Sequence, residues 1–355
     1  MKPVTIGLIG TGNISGIYLS NAAKFPELNL VACADINAPA AAAKAAAHGI
    51  AAMTPEALLA DPRIEIVLNL TTPQHHVPVG LRVLAAGKHL YAEKPLATTF
   101  AEGQKLVAEA RARGLRVGSA PDTFLGGTHQ TARAALDAGL IGAPRAGACT
   151  MMVPGHELWH PAPDFYYAPG GGPMLDMGPY YLTCLVNLLG PVAAVTGAHR
   201  AATTTRTIAT GPRAGESVPV TVPTHITGIL DFASGPQVTL TTSFDVWKHG
   251  HNHIEIYGDT GSMIVPDPNR FDGEVLIAHG KADWEPRPTA FPHGDDNWRI
   301  LGLADMARAL REGRRHRASA DLALHVLEVM EKIIQSGDQG RRLQVETRCE
   351  RPEGV

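Results

Sequence analysis

The sequence has little of what marks disulfide-rich, nucleic-acid-binding or membrane-spanning proteins. Its 355 residues include only four cysteines, which lie far apart and form no CxxC pair. This argues against a disulfide framework or a structural zinc site and favours a reducing compartment. The formal net charge is −3, and no long basic block is present, which argues against nucleic acid or an anionic membrane as a partner.

Long apolar runs are also missing. None approaches the roughly 20 residues that a membrane span needs. The first apolar run, at residues 4–9, ends in glycines and is too short for the core of a signal peptide. The expectation is a cytoplasmic protein that does not cross a membrane.

What the sequence does contain is a change of pattern near residue 121. Before it, short apolar strands alternate with helical segments, which predicts a parallel sheet with right-handed crossovers. We therefore predict an α/β domain over residues 1–121, a doubly wound Rossmann sheet that binds a nucleotide. After it, strand follows strand with few helices between, which predicts a mostly antiparallel open-sheet α+β domain over residues 122–355. Residues 201–219, rich in Thr, Ala, Gly and Pro, are predicted to form an exposed loop.

A glycine-rich turn follows the first predicted strand and opens the first predicted helix. Its sequence, GTGNIS at residues 10–15, fits G-x-G-x-x-G except that Ser15 replaces the last glycine. Gly10 permits the tight turn, Gly12 lets a pyrophosphate approach the backbone, and the helix N-terminus offers free N–H groups to phosphates. The predicted cofactor contacts of this turn are Gly10, Gly12, Asn13 and Ile14.

Asp35 ends the second predicted strand, where an acid can accept hydrogen bonds from the adenosine ribose hydroxyls. A carboxylate at this position would repel a 2′-phosphate. NAD is therefore the predicted cofactor, with NADP as the other possibility.

Two further motifs complete a pattern that runs through the whole chain. The triplet Glu93-Lys94-Pro95 follows a predicted strand, and the run GGGPMLDMGPYY occupies residues 170–181. With the glycine turn, they make the sequence resemble the Gfo/Idh/MocA oxidoreductase family. The resemblance extends to TPQHH at residues 72–76 and IEIYG at residues 254–258. It implies an E-K-P triplet beside the nicotinamide, a glycine run that opens a helix at the substrate site, and further cofactor contacts from Thr71, Thr72, His76, Glu93 and Lys94. His75 is expected at the surface.

The resemblance also implies where proton transfer takes place. Lys94 can stabilise negative charge on the substrate oxygen, and Asp176 and Tyr180 would share one face of a helix. Family members usually carry Asp and His at these two positions, although glucose–fructose oxidoreductase also has tyrosine at the second. Because a phenol has a pKa near 10, it acts as a base only beside a cation. We predict a Lys94–Tyr180 pair with Asp176 as the orienting group, and keep Tyr181 as the alternative.

The stretch HELWH at residues 156–160 fits the zinc-protease pattern H-E-x-x-H, which requires a helix. Prolines stand on both sides, so at most one helical turn could form. We predict no metal here. Instead, the resemblance places the loop over the active site, where Trp159 and His160 contact substrate together with Tyr166.

The predicted activity is NAD(P)-dependent oxidation, or the reverse reduction, of a secondary hydroxyl of a sugar, sugar derivative or cyclitol. Aromatic side chains suit such substrates, and the absence of an evident arginine cluster favours a neutral polyol. Two alternatives stay open: a redox-assisted glycosidase that retains its NAD, and a non-catalytic regulator that senses NAD or a sugar. The open face of the second sheet predicts a homodimer or homotetramer.

Overall fold

The computed structural model describes residues 2–355. The chain forms two compact units, one of Met1–Asp122 with Asn297–Leu324 and one of Thr123–Asp296 with His325–Val355. The predicted division had a single break after residue 121. In the structure a second segment, 297–324, returns to the first unit.

The elements follow in chain order. The helices are α1 Ser15–Ala22, α2 Ala38–His48, α3 Pro55–Ala60, α4 Pro73–Ala85, α5 Phe100–Ala112, α6 Gly127–Asp137, α7 Asp164–Tyr167, α8 Gly172–Leu189, α9 Leu301–Glu312 and α10 Ala320–Gln339. The strands are β1 Val4–Ile9, β2 Leu28–Ala34, β3 Ala51–Met53, β4 Ile66–Asn69, β5 His89–Ala92, β6 Val117–Ser119, β7 Pro144–Met152, β8 Val192–Arg200, β9 Thr205–Thr207, β10 Ser217–Pro219, β11 His225–Phe232, β12 Gln237–Ser243, β13 Ile254–Gly258, β14 Gly261–Val265, β15 Val275–His279, β16 Glu285–Arg287 and β17 Leu343–Gln344. None of the helices formed by residues 2–355 is long and apolar enough to cross a membrane.

The first unit is built on a six-stranded sheet in the order β3-β2-β1-β4-β5-β6. Every pair is parallel. The inner strands read as continuous apolar runs because helices cover both faces, and Ile6, Leu8 and Ile66 are fully buried. The predicted Rossmann sheet is confirmed. Since β1 pairs with both β2 and β4, the strand order reverses here, which is where such sheets bind ligands.

The returning segment has an identifiable physical cause. The buried carboxylate of Asp122 accepts backbone N–H bonds from Ile300 at 3.0 Å and Gly302 at 2.9 Å, at the start of α9. Apolar residues of that helix, including Leu303 and Met306, are fully buried. Burial also raises the pKa of Asp122 to about 6, because desolvation disfavours the charged form. A break placed by composition alone could not anticipate this return.

The second unit carries a nine-stranded sheet in the order β16-β15-β14-β13-β7-β12-β11-β8-β17. Its pairs are antiparallel except for β7 with β12, which is parallel. The predicted mostly antiparallel α+β architecture is confirmed. The prediction of a loop over 201–219 is wrong in part, because β9 and β10 pair there as an antiparallel hairpin. Three residue pairs are too short a pattern to show in a Thr- and Gly-rich sequence.

Candidate active site

A cavity of ≈ 260 Å³ lies in the first unit beyond the carboxyl ends of β1, β2 and β4. Five of the predicted cofactor residues line it, namely Gly10, Gly12, Asp35, Thr71 and Thr72. The remaining walls come from apolar side chains and from Ile36, His75 and Arg82. His75, which we expected at the surface, is exposed and forms part of the cavity wall.

The glycine turn shows why these residue types are needed. Gly10 has φ +100°, and a Cβ there would lie 2.6 Å from the carbonyl carbon of Leu70 and 2.7 Å from the nitrogen of Thr71. A Cβ on Gly12 would meet nothing within 4 Å, so it would project into open space where this residue lines the cavity. The buried hydroxyl of Ser15 donates to the carbonyl of Gly12 at 2.7 Å. Serine is thus small enough to be buried at the position of the third glycine of the motif, and its hydroxyl adds a hydrogen bond within the turn.

The polar groups around this cavity suit a dinucleotide. Ile14 precedes α1 and supplies no side-chain cap, and the N–H groups of Ser15 and Gly16 bond to the carbonyls of Gly12 and Asn13. The N-terminus of α1 also carries the positive end of the helix dipole, which favours an anion. Burial would raise the pKa of Asp35, but backbone and hydroxyl hydrogen bonds from Asn37 and Thr11 outweigh it, and the pKa is lowered. The side chain is thus an acceptor-only carboxylate, as a ribose diol requires. The residues present fit NAD.

The other five predicted cofactor residues do not line this cavity: Asn13, Ile14, His76, Glu93 and Lys94. Two of them have a clear structural environment. Glu93 is buried, where its carboxylate accepts the hydroxyl of Tyr18 at 2.6 Å and the backbone N–H of Lys94 at 2.9 Å. The ring nitrogens of His76 lie 2.7 Å from the carbonyl oxygen of Pro95 and 2.9 Å from that of Thr71. Neither residue lines the cavity. They anchor the chain on both sides of Lys94, and their cofactor contacts stay predictions.

His76 is 1% exposed. Burial lowers the pKa of its imidazole despite the two carbonyl partners. Its two carbonyl partners hold the ring between the loop at Thr71 and the loop at Pro95.

In the second unit, helix α8 carries the other predicted catalytic residues. Its N-terminus follows the glycine run, where a Cβ on Gly171 would lie 2.3 Å from the carbonyl oxygen of Phe165 and 2.8 Å from the carbonyl carbon of Tyr166. The glycine lets the start of the helix pack against this aromatic segment. Asp176 and Tyr180 follow at i and i+4, on one face of the helix.

The neighbouring tyrosine has a structural environment. The hydroxyl of Tyr181 lies 3.0 Å from Nδ1 of His253 and donates to Asp267 at 3.2 Å. The residue is 1% exposed, and burial together with the Asp267 carboxylate raises its pKa well above the ordinary value. A phenol in this position is a poor base, which favours Tyr180 over Tyr181.

The HELWH segment does not form the helix that a zinc site requires. Only a 3₁₀ turn, His156–Leu158, is present. Glu157 is buried and paired with Arg206 at 3.2 Å, and it accepts the hydroxyl of Tyr167. Arg206 lies on β9 and also pairs with Asp245, so its guanidinium bridges two carboxylates. No group of three or more metal-ligating side chains occurs among residues 2–355.

The predicted substrate residues of the second unit gather around a side chain that sequence reasoning had not assigned. The ring of His156 lies 5.2 Å from that of Trp159 and 4.3 Å from that of Tyr166, between ring centroids. The ring of His160 packs 5.5 Å from Tyr166. Nε2 of His156 lies 3.0 Å from Oδ2 of Asp176. No periodicity links residues 156 and 176, because a loop and a short helix separate them.

The fold and these groups define a class of protein: a dinucleotide-binding oxidoreductase with a separate unit that carries candidate acid–base groups on a helix. Two family models match the sequence. Residues 4–120 match the oxidoreductase family with an NAD-binding Rossmann fold, and residues 129–264 match the GFO/IDH/MocA C-terminal domain. The chain belongs to the Gfo/Idh/MocA oxidoreductase family and binds NAD through its first unit.

Named relatives are similar over different lengths. The 1,5-anhydro-D-fructose reductase of Ensifer adhaerens is 27% identical over 266 residues, which are 73% of this chain and 74% of that protein. A dTDP-3,4-didehydro-2,6-dideoxy-alpha-D-glucose 3-reductase of Streptomyces antibioticus is 32% identical over 176 residues, and this match covers 49% of this chain and 52% of that protein. The solved structure of levoglucosan dehydrogenase in complex with NADH matches with a TM-score of 0.84 at 20% identity, covering 98% of this chain and 100% of that one. At that identity the likeness shows the fold alone.

Proposed function

We propose that this oxidoreductase oxidises, or in reverse reduces, a secondary hydroxyl of a sugar, sugar derivative or cyclitol with NAD. The observation that carries the proposal is the contact of Asp176, which shares one face of α8 with Tyr180, with the aromatic cluster around His156. The names of the relatives support the substrate class, because they are sugar reductases and a sugar dehydrogenase.

Three residues of the chain carry the proposed chemistry. Bound NAD supplies the hydride acceptor for the carbinol carbon. Lys94 hydrogen-bonds the substrate oxygen and stabilises charge that develops on it. Tyr180 takes the hydroxyl proton, with the Lys94 ammonium lowering the cost of a phenolate, and Asp176 orients the reacting group. Two points support their joint action. The sequence resemblance predicts it, and each unit holds its own predicted catalytic residues in a defined arrangement.

A neutral polyol fits the second unit best. Trp159, His160 and Tyr166 offer ring faces for C–H patches and polar tips for hydroxyls. Arg206, a cation beside this loop, already pairs with Glu157 and Asp245. It is therefore committed inside the protein and does not favour a phosphate or carboxylate on the substrate.

The test is a screen of unphosphorylated sugars and inositols with NAD and with NADP, followed by the absorbance of reduced nicotinamide. For the best substrate, Lys94→Ala should lower kcat roughly 10²- to 10⁴-fold, while the affinity for NAD, measured by fluorescence, should change far less. The exposed Lys105→Ala is the matched control.

The same assay separates the alternatives. Release of an aglycone without net formation of NADH would support the redox-assisted glycosidase. A protein that binds NAD and sugar but gives no turnover, with or without Lys94, would support the sensor. Neither alternative is favoured by an observation on this chain.

The finer expectations stay proposals. Ile229, Thr239 and Tyr257 lie on one face of the second sheet and are partly or fully exposed. We propose that this face forms the contact of a homodimer or homotetramer, to be tested by light scattering. A cytoplasmic location is also proposed, from the scarcity of cysteine.

A further inference from the structure

His156 is a buried imidazole that contacts a predicted catalytic side chain within the second unit. It starts the 3₁₀ turn of the HELWH segment, and its side chain is 11% exposed. Nε2 lies 3.0 Å from Oδ2 of Asp176, whose side chain is 17% exposed. The contact therefore lies largely out of water, where a hydrogen bond to a carboxylate is worth more than at the surface.

The surroundings of His156 fix which nitrogen carries the proton. The indole nitrogen of Trp159 points at Nδ1 from 3.3 Å. Indole N–H is a donor only, so Nδ1 accepts and carries no proton. A neutral imidazole must then be protonated at Nε2, and Nε2–H donates to Asp176. The two contacts form a directed chain from Trp159 through His156 to the carboxylate.

Packing holds the ring in this orientation. The His156 ring lies 4.3 Å from the rings of both Tyr166 and Phe244, between centroids. Its backbone N–H donates to the hydroxyl of Tyr167 at 3.1 Å. Since rotation about the side chain is blocked on several sides, the donor faces Asp176 without a further loss of rotamer entropy.

We propose that His156 is a positioning residue for the reaction: its Nε2–H holds the Asp176 carboxylate in the orientation in which that group acts on the substrate. The inference rests on the proposed function, because it assigns His156 a role through Asp176. It also assigns Trp159 a second role, since the indole selects the imidazole tautomer. At metal sites, loss of a group that orients a ligand through one hydrogen bond typically changes activity roughly 10- to 100-fold, and we expect an effect of the same order here.

Two variants separate the hydrogen bond from the packing. In His156→Gln, the amide nitrogen can take the place of Nε2 and donate to Asp176. In His156→Asn, the amide is too short to reach Asp176, although its oxygen can still accept from Trp159. His279→Asn, at an exposed position on β15, is the matched control.

We expect His156→Asn to lower kcat roughly 10- to 100-fold with little change in the KM for the sugar, and His156→Gln to recover most of the loss. Thermal midpoints and NAD affinity should be equal for the two variants. Equal loss of kcat in both, or full activity of His156→Asn, would overturn the inference. Absence of turnover in the unchanged protein would instead overturn the proposed function.

A spectroscopic measurement tests the geometry without turnover. The ¹⁵N signals of His156, assigned by comparison with His156→Gln, should show the neutral tautomer with the proton on Nε2. Asp176→Asn should shift the Nε2–H proton signal. A ring protonated at Nδ1, or an Nε2–H signal that does not respond to Asp176→Asn, would refute the role even if the sugar reaction is found.

Discussion

The two units of this protein build their candidate sites from different materials. In the first unit, a glycine turn and the ends of parallel strands shape one side of the cofactor cavity through their backbone, and apolar side chains form much of the rest. In the second unit, the functional groups are side chains whose orientation depends on other side chains. Asp176 meets His156, and His156 meets Trp159 and Tyr166.

This difference determines how each site responds to substitution. A backbone site tolerates most side chains and fails where a Cβ cannot fit, as at Gly10. A side-chain site loses function when one hydrogen bond is removed, even if the chain still folds. Adjacent residues of α8 give the sharpest instance, because Tyr180 is expected to act on substrate while Tyr181 is committed to Asp267 and His253.

The largest effect is expected from Tyr180→Phe, which removes the proposed acid–base hydroxyl and keeps the ring. We expect kcat to fall roughly 10²- to 10⁴-fold with little change in the thermal midpoint. Tyr181→Phe is the matched variant. Removal of the Tyr181 hydroxyl takes a hydrogen-bond donor away from Asp267, which should lower the free energy of unfolding by about 1–3 kcal/mol. The kcat of this variant should stay nearly unchanged.

Steady-state kinetics and urea unfolding of both variants give the comparison. The opposite pattern, with Tyr181→Phe inactive and Tyr180→Phe active, would exchange the two assignments. Loss of stability in both variants without loss of activity would remove tyrosine from the proposed chemistry.

A second, smaller effect is expected in the first unit, where the buried carboxylate of Asp122 holds the start of α9. Both N–H groups at the start of α9 bond to one oxygen of Asp122, and burial raises the pKa of this group to about 6. Because the folded-state pKa is above the unfolded value, the folded state binds the proton more tightly. The associated stability is present below about pH 4 and is lost as pH rises through 6.

Asp122→Asn keeps an oxygen for the two N–H groups and cannot ionise. Relative to the unchanged protein, its free energy of unfolding should therefore rise between pH 4 and pH 7, by up to about 3 kcal/mol for a shift of some two units. Urea unfolding at several pH values measures this difference. A difference that does not vary with pH would show that Asp122 is ionised throughout the range.

The difference between the two units also explains which features could be predicted from the sequence. The Rossmann sheet, the glycine turn and Asp35 were predictable, because strand patterns and glycine spacing act over a few residues. The sequence predicts that Glu93 and His76 lie near the cofactor. In the structure they hold the chain around Lys94 and do not line the cavity. That distinction depends on where Tyr18 and Pro95 lie in three dimensions.

Other features required tertiary structure. In the sequence, His156 stands out only as the first histidine of an H-E-x-x-H pattern. Its contact with Asp176 depends on how the loop packs on α8. The short β9–β10 hairpin carries Arg206, whose carboxylate partners are far away in sequence. The return of α9 depends on the buried Asp122. In each case the deciding interaction joins residues that no local pattern relates.

The smallest predicted effect concerns the choice of cofactor, where a side chain acts within the backbone-built site. The lowered pKa of Asp35 keeps a negative charge on the cavity wall. Asp35→Asn should reduce the preference for NAD over NADP about 10- to 100-fold, since a 2′-phosphate no longer meets a carboxylate. Arg82 lines the same cavity and pairs with Glu56 at 2.7 Å.

Glu56→Gln is the control, because it alters the partner of Arg82 and leaves Asp35 in place. Alone it should raise kcat/KM for NADP only slightly, since the carboxylate still repels the phosphate. The double variant Asp35→Asn/Glu56→Gln should raise kcat/KM for NADP further, because the guanidinium of Arg82 is then available to the 2′-phosphate. If Asp35→Asn weakened both cofactors equally, the carboxylate would serve the turn at Thr11 alone, and discrimination between the cofactors would have to come from the backbone.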